Sequence, residues 1–163
     1  MVDALAPGTV GEACAGHGDP MTLKRVVSGG QTGADQQGLF EGRRLGLETG
    51  GWVPKGWRTE DGPAPWLAAF GCLEHDSSTY PPRTAQNVAD SEATLWFGHI
   101  GSPGYYCTYN AVKRYRRDWH VNPGEDIMQG VAEHYTVINV AGNRASINPG
   151  VANRVTVAFA ILG

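Results

Sequence analysis

The chain is short of cysteine, of charge and of long apolar runs, and each shortage removes a class of protein. Its three cysteines, Cys14, Cys72 and Cys107, form an odd, sparse set. That argues against a disulfide scaffold and for a reducing compartment, so a cytoplasmic location is expected. Lys and Arg number 13 against 16 Asp and Glu, a formal charge of −3, and no global basic field points to nucleic acid. No apolar stretch approaches the roughly 20 residues of a membrane span. The first residues lack the basic and apolar regions of a signal peptide. Nucleic acid and membrane are therefore not expected as partners.

What is plentiful is glycine, with 23 residues, and proline, with 10, in a chain of 163. That length suits one domain burying roughly two-thirds of its unfolded surface, and the composition is globular and rich in turns. Residues 1–22 are small, Gly-rich and weakly patterned, and read as a flexible N-terminal leader; Met21 is an alternative start. Residues 23–163 read as a single ligand-binding domain. Cys14-Ala15-Gly16-His17 and Cys72-Leu73-Glu74-His75 supply four zinc ligands on paper. The two pairs sit in different contexts and such spacing arises readily by chance, so no metal held by protein side chains is expected.

The organising stretch is Lys24-Arg25-Val26-Val27-Ser28-Gly29-Gly30-Gln31-Thr32-Gly33-Ala34-Asp35. It reads as a strand, a glycine-rich turn and the first turn of a helix through Leu45. Glycines let the backbone take positive φ and approach a ligand closely. A helix N-terminus adds unpaired N–H groups and partial positive charge, which together suit an oxyanion. The spacing is neither the dinucleotide fingerprint nor the P-loop, and a tight βα turn without a ligand is the plain alternative.

Leu47 to Val53 predicts a second strand. The following Pro54–Pro63 segment carries Pro and Gly too often for regular structure. A loop of that length is more often functional than filler, and it holds Lys55, Gly56, Arg58 and Asp61. The cations suit an anion, and Asp61 suits a hydroxyl or ring N–H. Pro63 to Ser78 reads poorly, with a broken helical spacing of Trp66, Leu67, Phe70 and Leu73. Tyr80–Ser91 predicts a short helix with Pro82 in its first turn. There Arg83 and Asn87 share a face, either to hold a ligand or to tie the helix to its neighbour.

Ala93–Gly98 is a near-continuous apolar run, as expected of a strand covered on both faces. It leads into Ser102-Pro103-Gly104-Tyr105-Tyr106-Cys107-Thr108 and a helix to about Trp119. Ser102 is the expected N-cap, and Tyr105 suits stacking on a heterocycle or filling core. Lys113, Arg114, Arg116 and Arg117 read as a solvated helix end. A short strand at Trp119–Asn122, a helix over about Glu125–His134 and a strand at Tyr135–Gly142 follow. A polar loop with Arg144 and Ser146 then precedes a last helix from Asn148 or Pro149 to Leu162. The alternation predicts an α/β chain: a Rossmann-like three-layer α/β/α sandwich around a mainly parallel sheet.

Three blocks taken together look familiar. They are Ser28–Asp35, Gly50–Gly56 with Glu60-Asp61-Gly62, and Asn139–Gly142 with Arg144, Ser146 and Pro149-Gly150. In order and wording they resemble the molybdenum carrier family, which includes molybdenum cofactor carrier proteins. Arg83-Thr84, Asn87-Val88 and Ser91-x-x-Thr94-Leu95-x-Phe97 extend the likeness from about Arg25 to the C-terminus. That family is similar in fold to the SLOG group of Rossmann-like nucleotide binders, related to lysine-decarboxylase-like phosphoribohydrolases. The resemblance implies a homo-oligomer that binds a small anionic ligand, the molybdenum cofactor or a nucleotide, without turning it over. Residues matching the family's motifs are Gly29, Gly30, Gln31, Thr32, Gly33 and Asp35, then Lys55, Gly56, Asp61 and Gly62, then Arg144 and Ser146. Such proteins usually carry Gly-Gly-Thr where this chain has Ser102–Thr108, and Pro103 there removes a donor. The long leader and Glu92, in place of a common Asp, are further departures.

Three functions fit these residues. The first is a binding or carrier protein for a phosphorylated heterocycle. The second is a phosphoribohydrolase-like enzyme cleaving a nucleotide's N-glycosidic bond, with Asp35, Asp61 and Glu60 as the loop carboxylates placed for the work, Asp35 and Asp61 foremost. The third is a sensor or sequestering protein for a nucleotide-derived signal. No Ser-His-Asp arrangement or dense ligand cluster demands catalysis.

Overall fold

A computed structural model describes residues 21–163. The expected leader therefore lies outside the described residues, Met21 and Thr22 apart, as do Cys14 and His17. Thr22 is already engaged, its amide donating to Ala132 O at 2.9 Å.

The order of elements follows the alternation read from the sequence. Strand β1 (Arg25–Ser28) leads to helix α1 (Ala34–Arg44), then to β2 (Glu48–Val53). A two-residue hairpin, β3 (Arg58–Thr59) with β4 (Gly62–Pro63), precedes a 3-10 helix at Pro65–Phe70 and strand β5 (Cys72–Glu74). Helix α2 (Tyr80–Ala89), β6 (Ala93–Phe97), α3 (Pro103–Tyr115), β7 (Asp118–Val121), α4 (Glu125–His134), β8 (Val137–Gly142) and α5 (Val151–Ala160) complete it.

Two parts differ from expectation. The Pro54–Pro63 segment is not wholly irregular, because Gly62 at φ +98° and the Thr59 Oγ1 bond to Gly62 O close a tight hairpin. The poorly read segment hides β5, a sixth sheet strand. Gly71 at φ +79° ends the 3-10 helix and turns Cys72 into register beside Gly51. Three residues are too few to show a period of two, so the strand left no pattern to read. The last helix begins at Val151, two residues after Pro149.

The sheet is parallel throughout, in the order β5-β2-β1-β8-β6-β7. The last strand in sequence is thus threaded into the middle. Phe97 aligns with Gly142, so β6 and β8 finish together, and β1 ends two residues short of them, Ser28 beside Val140; all three are parallel and send their loops from one edge. Helices α1 and α5 pack together, as do α2 and α3.

Burial explains the patterning. Every residue of β6 is buried, as a strand with helices on both faces requires. The larger core sets Val26, Leu95, Phe97, Ile138 and Val140 against Val151, Val155 and Phe159 of α5, each full burial contributing about 1.5–3 kcal/mol. A second cluster joins Leu39, Val53, Leu67 and Cys72; a third joins Val88, Ala111 and Val112 between α2 and α3. Among the described residues no helix is long and apolar enough to cross a membrane.

Candidate functional site

The loops leaving β1, β6 and β8 surround a cleft of about 350 Å³. Its position, outside the carboxyl ends of strands at the centre of an α/β sheet, is where such folds bind ligands. Ala141, Gly142 and Asn143 form the floor, and Gln31 and Asp35 close the side of α1. Tyr80, Arg83 and Thr84 of α2 face Ser102, Gly104, Cys107 and Thr108 around the N-terminus of α3. Arg144 and Ile147 stand at the loop after β8.

Arg83 is the residue around which the polar end is built. Its side chain is only 12% exposed, yet its five N–H donors make one recorded hydrogen bond, Nη1 to Thr84 Oγ1 at 2.9 Å. Nε is buried with no partner. Asp35 Oδ2 lies 3.9 Å from Nη1, an ion pair outside hydrogen-bond range. The guanidinium rests against Gly29, where a Cβ would lie 2.0 Å from Nη1. It also lies over the Tyr80 ring at 5.3 Å, and Arg58 approaches the same ring at the same distance. Gly29 therefore serves a side chain, leaving room for Arg83.

Asp35, 4% exposed, accepts from its own loop at Gln31 N, 3.2 Å. Burial pushes its carboxyl up to about 6, although the Arg83 charge and the Gln31 hydrogen bond work the other way. A carboxyl that changes charge near neutrality, inside a cleft, is a feature of working sites. The thiol of Cys107 is also pushed up by burial, against the pull of Arg83 and a hydrogen bond with Thr84.

The glycine-rich turn does not offer the open amide cradle that its sequence suggests. The Gly30 amide donates to Ser28 Oγ, Gln31 N to Asp35 Oδ2, Thr32 N to Gln31 Oε1, and Ala34 N to Asn143 O. Gly33, at φ +81°, lets the β8–α5 loop close in: a Cβ would lie 2.6 Å from Asn143 O and 2.8 Å from Ala145 N. The turn is thus a packed joint, and the cleft opens beside it.

The expected site residues divide accordingly. Gln31, Asp35, Arg83, Ser102, Gly104, Thr108 and Arg144 line the cleft together. Ser102 caps α3, accepting from Tyr105 N at 3.2 Å, and Thr108 donates to Gly104 O at 3.0 Å. Thr32 and Ser146 do not line it: both bind Glu60 at the tip of the β3–β4 hairpin. Lys55 and Gly56, ahead of the hairpin, and Asp61, in its turn, are exposed and do not line the cleft; Gly56 N donates to Glu74 Oε2, and Asp61 N to Thr59 Oγ1. Arg58 Nη1 donates to Ser78 O. Gly30 is pressed on Val53 and Leu67. Asn87 is spent on the Trp52 backbone. Tyr105 belongs to an aromatic group with Trp96, Tyr109 and Trp119.

Sequence reasoning did not single out Tyr80, Thr84, Trp96, Cys107, Asn143 or Ile147 as lining residues. Thr84 adjoins Arg83, and Asn143 follows the last residue of β8, so both had positional signals. Trp96 lay inside an apolar run and carried none. Among the described residues no group of three or more His, Cys, Asp or Glu is placed to hold a metal ion. Cys72 is buried in the second core cluster, and burial pushes its thiol up to about 12.

Comparison with known proteins bears on the fold and the family. The putative molybdenum carrier protein of Syntrophus aciditrophicus, a solved crystal structure, superposes with a TM-score of 0.76 at 27% identity, covering 86% of this chain and 95% of that one. A search of curated proteins found no match. The pattern of the circularly permutated YpsA SLOG family matches residues 26–161, nearly the whole of the folded unit, and the chain belongs to that family.

Proposed function

We propose that the chain is a binding protein for a small phosphorylated heterocycle, held in the cleft between α2, α3 and the centre of the sheet. One observation carries this reading: the buried guanidinium of Arg83, with Nε unpartnered, at the wall of a cavity. A buried charged donor without a partner is costly, and an anionic oxygen would satisfy it. Across the cleft, at the first turn of α3, Pro103 has no N–H, Tyr105 N is capped by Ser102 Oγ and Tyr106 N donates to Ser102 O, which leaves the Gly104 amide as the helix-end donor for a ligand. The cleft's size falls within the roughly 300–1,000 Å³ common for small-molecule sites. Trp96, Pro103, Ile147 and Tyr80 give it apolar walls suited to a flat ring.

The name of the Syntrophus relative makes molybdenum cofactor one candidate ligand, a nucleotide the other. The lining residues suit the phosphate and ring of either, and supply no metal-ligand cluster among those described. Tryptophan fluorescence titration with adenosine 5′-monophosphate tests the reading. Binding that is lost in Arg83→Gln supports it, and equal binding by both proteins removes Arg83 from the site. Native mass spectrometry of protein from a molybdenum-replete host separates the two ligands.

A second reading has its own support in Asp35. A carboxyl held protonated to about pH 6 beside the cleft suits general acid catalysis of N-glycosidic cleavage. Asp61, exposed on the hairpin, is not part of that arrangement. Free base released from adenosine 5′-monophosphate by the wild type, and not by Asp35→Asn, would favour the enzyme.

A further inference from the structure

We propose that the cleft binds an anion together with a proton, which Asp35 takes up when an oxyanion of the phosphate or sulfate class becomes the counter-ion of Arg83. This rests on the reading of the cleft as an anion site. The geometry sets up a competition. Asp35 and the cleft look onto one guanidinium, which lies 3.9 Å from Oδ2 and has spare donors. Asp35 itself is weakly held, Oδ2 accepting one hydrogen bond from Gln31 N, and its side chain is 6% exposed. A second anion at Arg83 would draw on the same charge and leave Asp35 as an uncompensated buried carboxylate. Such a group neutralises by protonation rather than stay charged. As an acid it would become a donor and could hydrogen-bond the bound oxyanion.

Other groups around Asp35 do not take this part. From α2 come Arg83 and Tyr80, and from the loop after β8 comes Arg144; arginine does not titrate in proteins. From β5 comes the Cys72 thiol, pushed up to about 12 with Asp35 among the causes. From α3 comes the Cys107 thiol, pushed up by burial. Glu60, beyond Gln31, is held below the usual carboxylate range. No histidine lines the cleft among the described residues. The charge that changes between pH 5 and 8 is therefore that of Asp35.

Sulfate is the probe, because it keeps its double charge across that range, and the full chain is titrated by tryptophan fluorescence. The dissociation constant of the wild type is expected to rise about tenfold per pH unit between pH 6.5 and 7.5, the slope for one linked proton. Asp35→Asn should bind at pH 7.5 as tightly as the wild type at pH 5.5, with no slope. Arg83→Gln should lose binding at every pH. A slope in Asp35→Asn equal to that of the wild type, or no slope in the wild type, overturns the coupling and leaves the anion site standing. No sulfate binding by the wild type, or undiminished binding by Arg83→Gln, overturns the site as well. Calorimetry on the wild type in two buffers of different ionisation heat gives a measure independent of any variant. One proton taken up per sulfate at pH 7.5 and almost none at pH 5 is expected; none at both rejects the proposal.

Discussion

Thr32 donates its hydroxyl hydrogen to Glu60 Oε1 at 2.7 Å, joining the glycine-rich turn to a hairpin tip 28 residues away. The same carboxylate accepts from Ser146 N and Oγ, with Arg144 Nε at 3.8 Å. Gln31 completes the clasp, its Oε1 accepting from Glu60 N. Three loops at the cleft's edge are thus held by one side chain. Glu60→Gln replaces an acceptor with a donor that faces donors. Chemical denaturation should show a loss of about 1–3 kcal/mol, the usual effect of a charge-assisted bond left unmade. Burial alone would raise this carboxyl, but hydrogen bonds from Ser146 and Thr32 and the Arg144 charge outweigh it and hold it low. Its folded pKa lies below the unfolded 4.5, so the stabilisation is present above that pH and fades as pH falls below it. A wild-type stability that falls no faster than that of Glu60→Gln below pH 4.5 would refute this.

Gly29 and Gly33 look alike in sequence but should respond differently to Ala. At Gly29 the intruding Cβ meets the flexible end of Arg83, which can swing away. Melting should change little while oxyanion affinity drops about tenfold or more. At Gly33 the Cβ meets the Asn143 and Ala145 backbone at φ +81°. Backbone cannot yield so cheaply, so a loss of roughly 2 kcal/mol or more in folding stability is expected. Thermal melts paired with sulfate titrations separate the two, and equal melting shifts would refute the assignment.

Asp35→Asn should stabilise the fold at neutral pH and not in acid. The carboxyl's folded value of about 6 lies above its ordinary 3.8. Between those values the native state holds more protons than the unfolded one, so stability falls as pH rises, by about 1.4 kcal/mol per unit at most. The loss is complete above about pH 7, where removing the charge should raise the melting temperature. Near pH 4 the variant and wild type should agree within error. A variant less stable at pH 7.5 than the wild type would show that the Gln31 bond outweighs the burial cost.

The architecture was legible because periodicity survives without contacts. The apolar run of β6, the amphipathic stripe of α5 and the strand–turn–helix at Ser28 each carry their signal locally. The site was half legible. Asp35, Ser102 and Arg144 came from their positions at loops following strands, on the carboxyl edge of a sheet, and Arg83 from a helix face it shares with Asn87. What the sequence could not convey was which acceptor each amide finds. The amides of Gly30, Gln31 and Thr32 find Ser28 Oγ, Asp35 Oδ2 and Gln31 Oε1 within the turn, and Thr32 and Ser146 turn to Glu60, a partner set by tertiary packing. Lys55 and Asp61 are exposed and do not line this cleft.

Asn87 offers the last distinction, between a residue that holds ligand and one that holds the wall. It is 1% exposed. Its Oδ1 accepts from Trp52 N at 2.7 Å and its Nδ2 donates to Trp52 O at 2.9 Å, so it copies a strand partner for the end of β2. Both ends of the carboxamide are engaged by the Trp52 backbone, and Asn87 does not line the cleft. Asn87→Ala would strip two bonds from the Trp52 backbone and leave a buried void, costing about 2–4 kcal/mol. Asn87→Asp keeps the acceptor but sets an anion against the Trp52 carbonyl, so it should not rescue the loss. Because α2 also carries Arg83, the fraction that remains folded should bind sulfate with the affinity of the wild type. Denaturation together with titration at a temperature where the variant is folded decides the matter. A variant of full stability and weakened binding would move Asn87 from the wall into the site.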